Sequence, residues 1–300
     1  MDIRRFLLAA ILFSATLFAA PHPKPPVSGA WRLVFTEEFN GTNLNPKVWM
    51  KLRGLGPGYR EPYNPDMDDS AFDAGYTTVS NGVLRIHWKA APITVKGATY
   101  PYTTGVATTA TGFNFRYGVI EARIWLPRIS GIAPTFWLLP TPVDSTWPPE
   151  IDIAEFSTGA QGKIDAHFNV HYQKNGRLRQ IAGFPTYGEN LGGAWHTYTL
   201  DWRPDSMTML LDGKAVYRYT GEGILDVDVY RLIQRRHEGG KAGGRAPCWL
   251  IMCASGSKQT PHHVRPLWRA RKGRTNPRHP QVVAVIAPRQ GVPRVFPNSP

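Results

Sequence analysis

The segment that decides the fold reads Glu150-Ile151-Asp152-Ile153-Ala154-Glu155. It places three carboxylates within six residues of an otherwise apolar stretch, although Asp and Glu are poor strand formers. Successive side chains of a strand point to opposite faces, so Glu150 and Asp152 share one face and Ile151 and Ile153 share the other. The pattern predicts a strand with one buried face and one acidic face.

The position of Glu155 breaks this alternation. The step from Asp152 to Glu155 is odd, so a regular strand would turn Glu155 toward the apolar face. If Ala154 is the extra residue of a β-bulge, the alternation resets and Glu155 joins the other two carboxylates. Like charges on one face destabilise a sheet, so we expect such a bulge where a functional site needs it. The alternative is a solvated edge strand with scattered acids.

Paired carboxylates suggest a class of chemistry. Most enzymes that cleave a glycosidic linkage use two carboxyl groups that flank the scissile bond. One attacks or stabilises the oxocarbenium-like centre, and the other donates a proton to the leaving oxygen. The acidic strand therefore predicts a sugar-cleaving site.

Two further motifs precede the acidic strand. Phe115 to Pro127 contains Tyr117-Gly118 and Glu121-Ala122-Arg123, and Pro134 to Pro140 contains Phe136-Trp137-Leu138-Leu139. The third motif runs from Trp147 to Glu155. In this order the three motifs resemble glycoside hydrolase family 16, the laminarinase and lichenase group, over about residues 31–219.

Strand patterns recur along the same region without a convincing helix. Asn81-Gly82 and Asp212-Gly213 each separate two apolar runs, which predicts hairpins. Residues 164–172 alternate strictly, so Asp165, His167, Asn169 and His171 share a face. These patterns predict an all-β sandwich. The resemblance implies a jelly-roll β-sandwich, concanavalin A-like, with a concave substrate cleft.

The resemblance also implies residue roles. Glu150 would be the nucleophile, Glu155 the acid and then the base, and Asp152 would hold Glu150 in place. Further side chains are predicted to bind the sugar by stacking or hydrogen bonding: Trp147, Trp137, Trp125, Glu121, Arg123, Asn169 and His171. Alternatives stay open, since Trp137 could be core, and Glu121 with Arg123 a surface ion pair of little energetic value.

We predict no cofactor and no metal at the site. His167 and His171 would lie about 13 Å apart along a strand, too far to chelate one ion. The resemblance leaves room for a structural calcium ion, but no residue pattern identifies its ligands.

Composition divides the chain. Residues 1–20 resemble a secretory signal, with Arg4 and Arg5 before an apolar run, and residues 21–30 form a proline-rich spacer. We expect the catalytic domain over 31–230, a secreted extracellular or periplasmic protein, and no transmembrane segment after the signal. Residues 231–300 hold 14 basic residues and one acid, Glu238, which accounts for the whole net charge of +13.

This basic tail does not resemble the usual end of the family. It is either a genuine extension that binds an anionic polymer or surface, or the product of a reading frame altered near 226–230. In either case we expect it to be disordered. Both cysteines, Cys248 and Cys253, lie in it, so the main domain has no disulfide of its own.

The sequence thus predicts a monomeric, retaining endo-β-glucanase that acts on β-1,3 or mixed β-1,3/1,4-glucan. A transglycosylase of the same fold is one alternative, and a non-catalytic sugar-binding protein is another. Nucleic-acid binding by the tail is not expected, because the tail lacks interleaved aromatic residues and any recognised motif.

Overall fold

The computed structural model describes residues 25–29, 31–52, 59–110, 112–140, 147–158, 162–224, 229–236, 248–253 and 282–286. The predicted signal at 1–20 and the first part of the spacer lie outside the described residues. The described residues form an almost entirely β structure, with one short 3-10 helix at Ala74–Tyr76. Among the described residues, no helix is long and apolar enough to cross a membrane.

The strands form two large sheets and one small hairpin. Sheet I has eleven strands: β1 Arg32–Glu37, β2 Ser70–Phe72, β3 Thr77–Ser80, β4 Val83–Lys89, β7 Tyr102–Thr104, β10 Gly118–Trp125, β15 Trp195–Arg203, β16 Ser206–Leu211, β17 Lys214–Tyr219, β19 Cys248–Cys253 and β20 Val282–Ile286. Sheet II has seven strands: β8 Val106–Thr108, β9 Asn114–Phe115, β11 Ala133–Pro140, β12 Glu150–Thr158, β13 Ile164–Lys174, β14 Arg177–Gly183 and β18 Val229–Arg236. The hairpin consists of β5 Ile93–Val95 and β6 Ala98–Tyr100.

Most neighbouring strands are antiparallel, and their order is not sequential. Sheet I runs β17-β16-β15-β10-β19-β4-β7-β2, with β20 pairing both β1 and β10. Sheet II runs β14-β13-β12-β11-β18-β8. The strand that carries the three carboxylates, β12, therefore lies inside sheet II, between β11 and β13. The alternative of a solvated edge strand is excluded.

One hydrophobic core lies between the sheets. Sheet I contributes alternate side chains of β10 and β15, and sheet II contributes those of β11, β12 and β13. The rings of Phe156 and Tyr198 meet across the two layers, with centroids 5.0 Å apart. The predicted jelly-roll β-sandwich is confirmed.

Both predicted hairpins are present. Asn81 and Gly82 connect β3 to β4 and have φ angles of 53° and 71°. Asp212 and Gly213 connect β16 to β17 with φ angles of 49° and 78°. Two successive positive φ angles are those of a type I′ turn, whose twist matches the flanking strands.

The basic tail differs from the expectation. Three of its segments form strands: β18 pairs β11 and β8 within sheet II, and β19 and β20 pair β10 in sheet I. The predicted tail begins at residue 231, so the prediction of disorder is wrong for 231–236, 248–253 and 282–286. The physical reason is that β10 and β11 offer long ladders of backbone groups, which short apolar runs of the tail complete. The rest of the tail lies outside the described residues.

Candidate active site

A β-bulge in β12 brings the three carboxylates together. Against β13, Asp152 pairs with Asn169 and Glu155 pairs with His167, so two residues of β12 oppose one of β13. Against β11 the register likewise shifts, between Phe136 and Trp137. The predicted bulge is confirmed. One detail is corrected, because Ala154 pairs with Phe136 and the residue skipped against β11 is Ile153.

Burial along β12 follows from the bulge. Ile151, Ile153 and Ala154 are fully buried in the core. The opposite face carries the three carboxylates: Asp152, which is 2% exposed, and Glu150 and Glu155, which are half-buried. We call this side of sheet II the acidic face.

Glu150 lies between an indole and an imidazole. The Trp147 Nε1 donates a hydrogen bond of 2.7 Å to Glu150 Oε2. The His171 Nε2 lies 3.9 Å from Glu150 Oε1 and 3.7 Å from Asp152 Oδ2, and its ring centroid lies 5.7 Å from that of Trp147. These contacts fix the position of the Glu150 carboxylate.

Glu155 is held from the neighbouring strand. Asn169 Nδ2 donates a hydrogen bond of 2.8 Å to Glu155 Oε2. The Asn169 side chain is itself 4% exposed and accepts a hydrogen bond of 3.3 Å from Gln180 Nε2 on β14. A chain of two amides across three strands therefore orients the Glu155 carboxylate.

Burial lowers the pKa of His171 below its ordinary value, while the nearby charge of Glu155 opposes that change. The imidazole is therefore neutral near pH 7. It completes a group in which Glu150, Asp152 and His171 offer ligand atoms within 4.8 Å of one another. Such a set could hold a metal ion, but the same three groups also suit acid–base chemistry without one.

The arrangement offers two carboxyl groups on one face, the number that glycosidic cleavage uses. Each has different surroundings, Glu150 beside a buried carboxylate and Glu155 beside an amide donor. Different surroundings are what separate a nucleophile from a proton donor.

Comparison with known proteins identifies the family. Residues 70–230 match the family described as Glycosyl hydrolases family 16, more than half of the chain. The chain belongs to this family.

Relatives of this family 16 chain include two from Rhizobium meliloti. It is 32% identical to the endo-1,3-1,4-beta-glycanase EglC over 224 residues, which are 70% of this chain and 46% of the relative. It is 30% identical to the endo-1,3-1,4-beta-glycanase ExsH over 218 residues, 66% of this chain and 44% of the relative. The chain thus spans less than half the length of these two relatives.

A solved structure shows the same fold. It is the catalytic domain of an endo-1,3-beta-glucanase, a laminarinase, from Thermotoga petrophila, with a TM-score of 0.62 and 23% identity. The similarity covers 74% of this chain and 95% of that domain.

Three sequence-predicted binding residues are not near the carboxylates of the family 16 site. Glu121, Arg123 and Trp125 lie on β10 of sheet I, on the face that points away from the core. Glu121 accepts a hydrogen bond of 2.8 Å from Thr199, and the Arg123 guanidinium lies 5.1 Å from the Trp195 ring centre. The expectation that they line the cleft is wrong, because alternation predicts a face of a strand but not its sheet. Glu121 and Arg123 therefore do not support the alternative of an ion pair, because Glu121 contacts Thr199 and Arg123 contacts Trp195.

Trp137 lies beside the site but is buried. It pairs directly with Asp152 across β11 and β12, and its side chain is 5% exposed. Tyr63 packs edge-on against it, with ring centroids 4.8 Å apart. This placement favours the core alternative over a stacking platform.

Sequence reasoning missed Gln180 and Thr135. Thr135 pairs with Glu155 from β11 and is 4% exposed, and Gln180 orients Asn169. The register between strands distant in sequence determines both contacts, and alternation within one strand does not reveal it.

Proposed function

We propose that this chain hydrolyses internal β-glycosidic bonds of β-1,3 or mixed β-1,3/1,4-glucan, with retention of configuration. The observation that carries the proposal is the bulge in β12, which gathers Glu150, Asp152 and Glu155 on one face. The printed activities of the relatives EglC and ExsH support the substrate class.

In the first step the Glu150 carboxylate attacks the anomeric carbon while Glu155 donates its proton to the leaving oxygen. The glycosidic bond breaks and a glycosyl ester on Glu150 forms. In the second step Glu155 takes a proton from water, the water oxygen attacks the anomeric carbon, and Glu150 leaves. Two inversions give net retention.

The neighbouring residues act on these two groups. The Trp147 hydrogen bond and the adjacent Asp152 hold Glu150 in position for attack. The Asn169 amide orients Glu155 toward the leaving oxygen. Trp147 is 48% exposed, so its ring is also available to stack on the sugar. The two carboxyl groups supply both nucleophile and proton, and the proposed reaction uses no cofactor.

The remaining expectations belong to the same proposal. The partner is a neutral polysaccharide outside the cell, and the enzyme acts as a secreted monomer. A structural calcium ion stays a prediction, and its ligands stay unassigned.

The test incubates the protein with laminarin, lichenan, agarose and xyloglucan. We expect new reducing ends from laminarin or lichenan, with the β-anomer formed first by NMR. Glu150→Gln should lose this activity, whereas Asp205→Asn, on an exposed turn of sheet I, should keep it. No new reducing ends from any glucan would refute the proposal. Products longer than the substrate would instead indicate a transglycosylase.

A further inference from the structure

The amide of Asn169 lies between the proton donor Glu155 and the side chain of Gln180. Its Nδ2 donates a hydrogen bond of 2.8 Å to Glu155 Oε2, and its Oδ1 accepts one of 3.3 Å from Gln180 Nε2. Asn169 is 4% exposed, and a buried amide is satisfied by partners within the protein. A half-turn of the amide would exchange its oxygen and nitrogen without changing the shape of the side chain. The partners of the amide therefore decide which of its atoms faces Glu155.

Gln180 contacts Asn169 because of the register between β13 and β14. The residue directly opposite Asn169 is Ala182, whose methyl side chain has no hydrogen to donate to an amide oxygen. Gln180 lies two residues away along β14, opposite His171, and a diagonal neighbour across a sheet is within reach of a long side chain. The Gln180 side chain is exposed. It therefore supplies, from the solvent side, the donor that Ala182 lacks.

The two orientations of the Asn169 amide would place the proton of Glu155 differently. In the observed orientation an N–H group faces Glu155 Oε2, so this oxygen accepts and the acidic proton belongs on Oε1. In the reversed orientation a carbonyl oxygen would face Oε2 and would accept the proton there. A proton held by Asn169 is withheld from the leaving oxygen of the sugar.

We propose that Gln180 is a positioning residue for proton transfer: it holds the N–H of Asn169 toward Glu155 and so keeps the Glu155 proton on Oε1, available to the leaving oxygen. This inference rests on the proposed function. As the glycosidic bond breaks, its electron pair stays on the leaving oxygen and takes up the proton from Oε1, which leaves Glu155 as a carboxylate. Gln180 needs no contact with the sugar for this role. Without its donor, both orientations of the amide become accessible.

Two aryl glycosides with the same sugar part test this role. Dinitrophenyl β-laminaribioside releases a phenolate that leaves without a proton, whereas phenyl β-laminaribioside releases one whose departure needs general acid catalysis. Gln180→Leu should lower the ratio of kcat/KM for the phenyl glycoside to kcat/KM for the dinitrophenyl glycoside by about tenfold. Weaker sugar binding or a less stable fold would affect both substrates equally and leave the ratio unchanged. The matched control is Gln173→Leu, the same change at an exposed residue of β13, which should keep the ratio.

Two further variants separate the proposed role from a general disturbance of the site. Gln180→Lys retains a hydrogen-bond donor and should keep the ratio of the wild type. In an Asn169→Ala background, Gln180→Leu should have no further effect on the ratio, because Gln180 acts through Asn169. An unchanged ratio in Gln180→Leu, or the same tenfold loss in the Asn169→Ala background, would overturn the role of Gln180. Wild-type protein that cleaves neither glycoside and no β-glucan would instead refute the proposed function.

Discussion

Replacing Trp147 separates its two contributions to catalysis. Trp147→Phe keeps an aromatic ring but removes the indole N–H that donates to Glu150 over 2.7 Å. A hydrogen bond to a charged group contributes about 1.5–3 kcal/mol. The indole is 48% exposed, so water partly replaces the donor and the lower end applies. About 1.5 kcal/mol corresponds to roughly a tenfold loss in kcat/KM.

Trp147→Ala should lose more, because the ring can no longer stack on the sugar. Stacking contributes about 0.5–1.5 kcal/mol, a further loss of up to about tenfold. The assay is the initial rate of reducing-end release from laminarin, with circular dichroism to confirm the fold. The matched control is Trp125→Phe, on the outward face of sheet I, which should keep full activity. Equal losses in Trp125→Phe and Trp147→Phe would refute the assignment of Trp147, and not Trp125, to the active site.

Acid should destabilise the fold. Burial lowers the pKa of both His171 and His87 below the ordinary 6.5, and the positive charge of Arg85 lowers that of His87 further. As the pH falls below about 6.5 the unfolded chain binds protons that the folded chain does not, so the free energy of unfolding decreases. His171→Gln or His87→Gln should flatten this decrease in urea titrations at successive pH values, and an unaltered slope would count against it. Truncation after Ile224 removes β18, β19 and β20 from the sheets and should abolish cooperative unfolding by calorimetry, whereas an unchanged Tm would contradict this.

Local signals in the sequence were sufficient for much of the fold. The turn residues Asn81-Gly82 and Asp212-Gly213 predicted hairpins because positive φ angles are required there. The odd step from Asp152 to Glu155 predicted a bulge, because only an extra residue returns Glu155 to the acidic face. The alternation of residues 164–172 predicted which side chains of β13 share the face of the site.

Contacts between distant segments could not be predicted in this way. The placement of Trp125 in the other sheet depends on the pairing of β10 with β15, some 70 residues later. The three tail strands were missed because basic and proline-rich flanks obscure short apolar runs, and because their partners lie far away in the sequence. The burial of Trp137 depends on its ring contact with Tyr63, which lies in a loop distant in sequence. Pattern within one segment carries no information about such pairings.

The central claim is that Glu150 is the nucleophile and Glu155 the proton donor, and azide rescue tests it most directly. Glu150→Ala should lower turnover of an aryl β-glucoside by roughly a thousandfold or more. Azide should then restore turnover by entering the space of the missing carboxylate and give the α-glycosyl azide. Glu155→Ala with azide should give the β-glycosyl azide, because the intermediate on Glu150 still forms. Near-normal turnover of Glu150→Ala, or a β-glycosyl azide from it, would contradict the assignment.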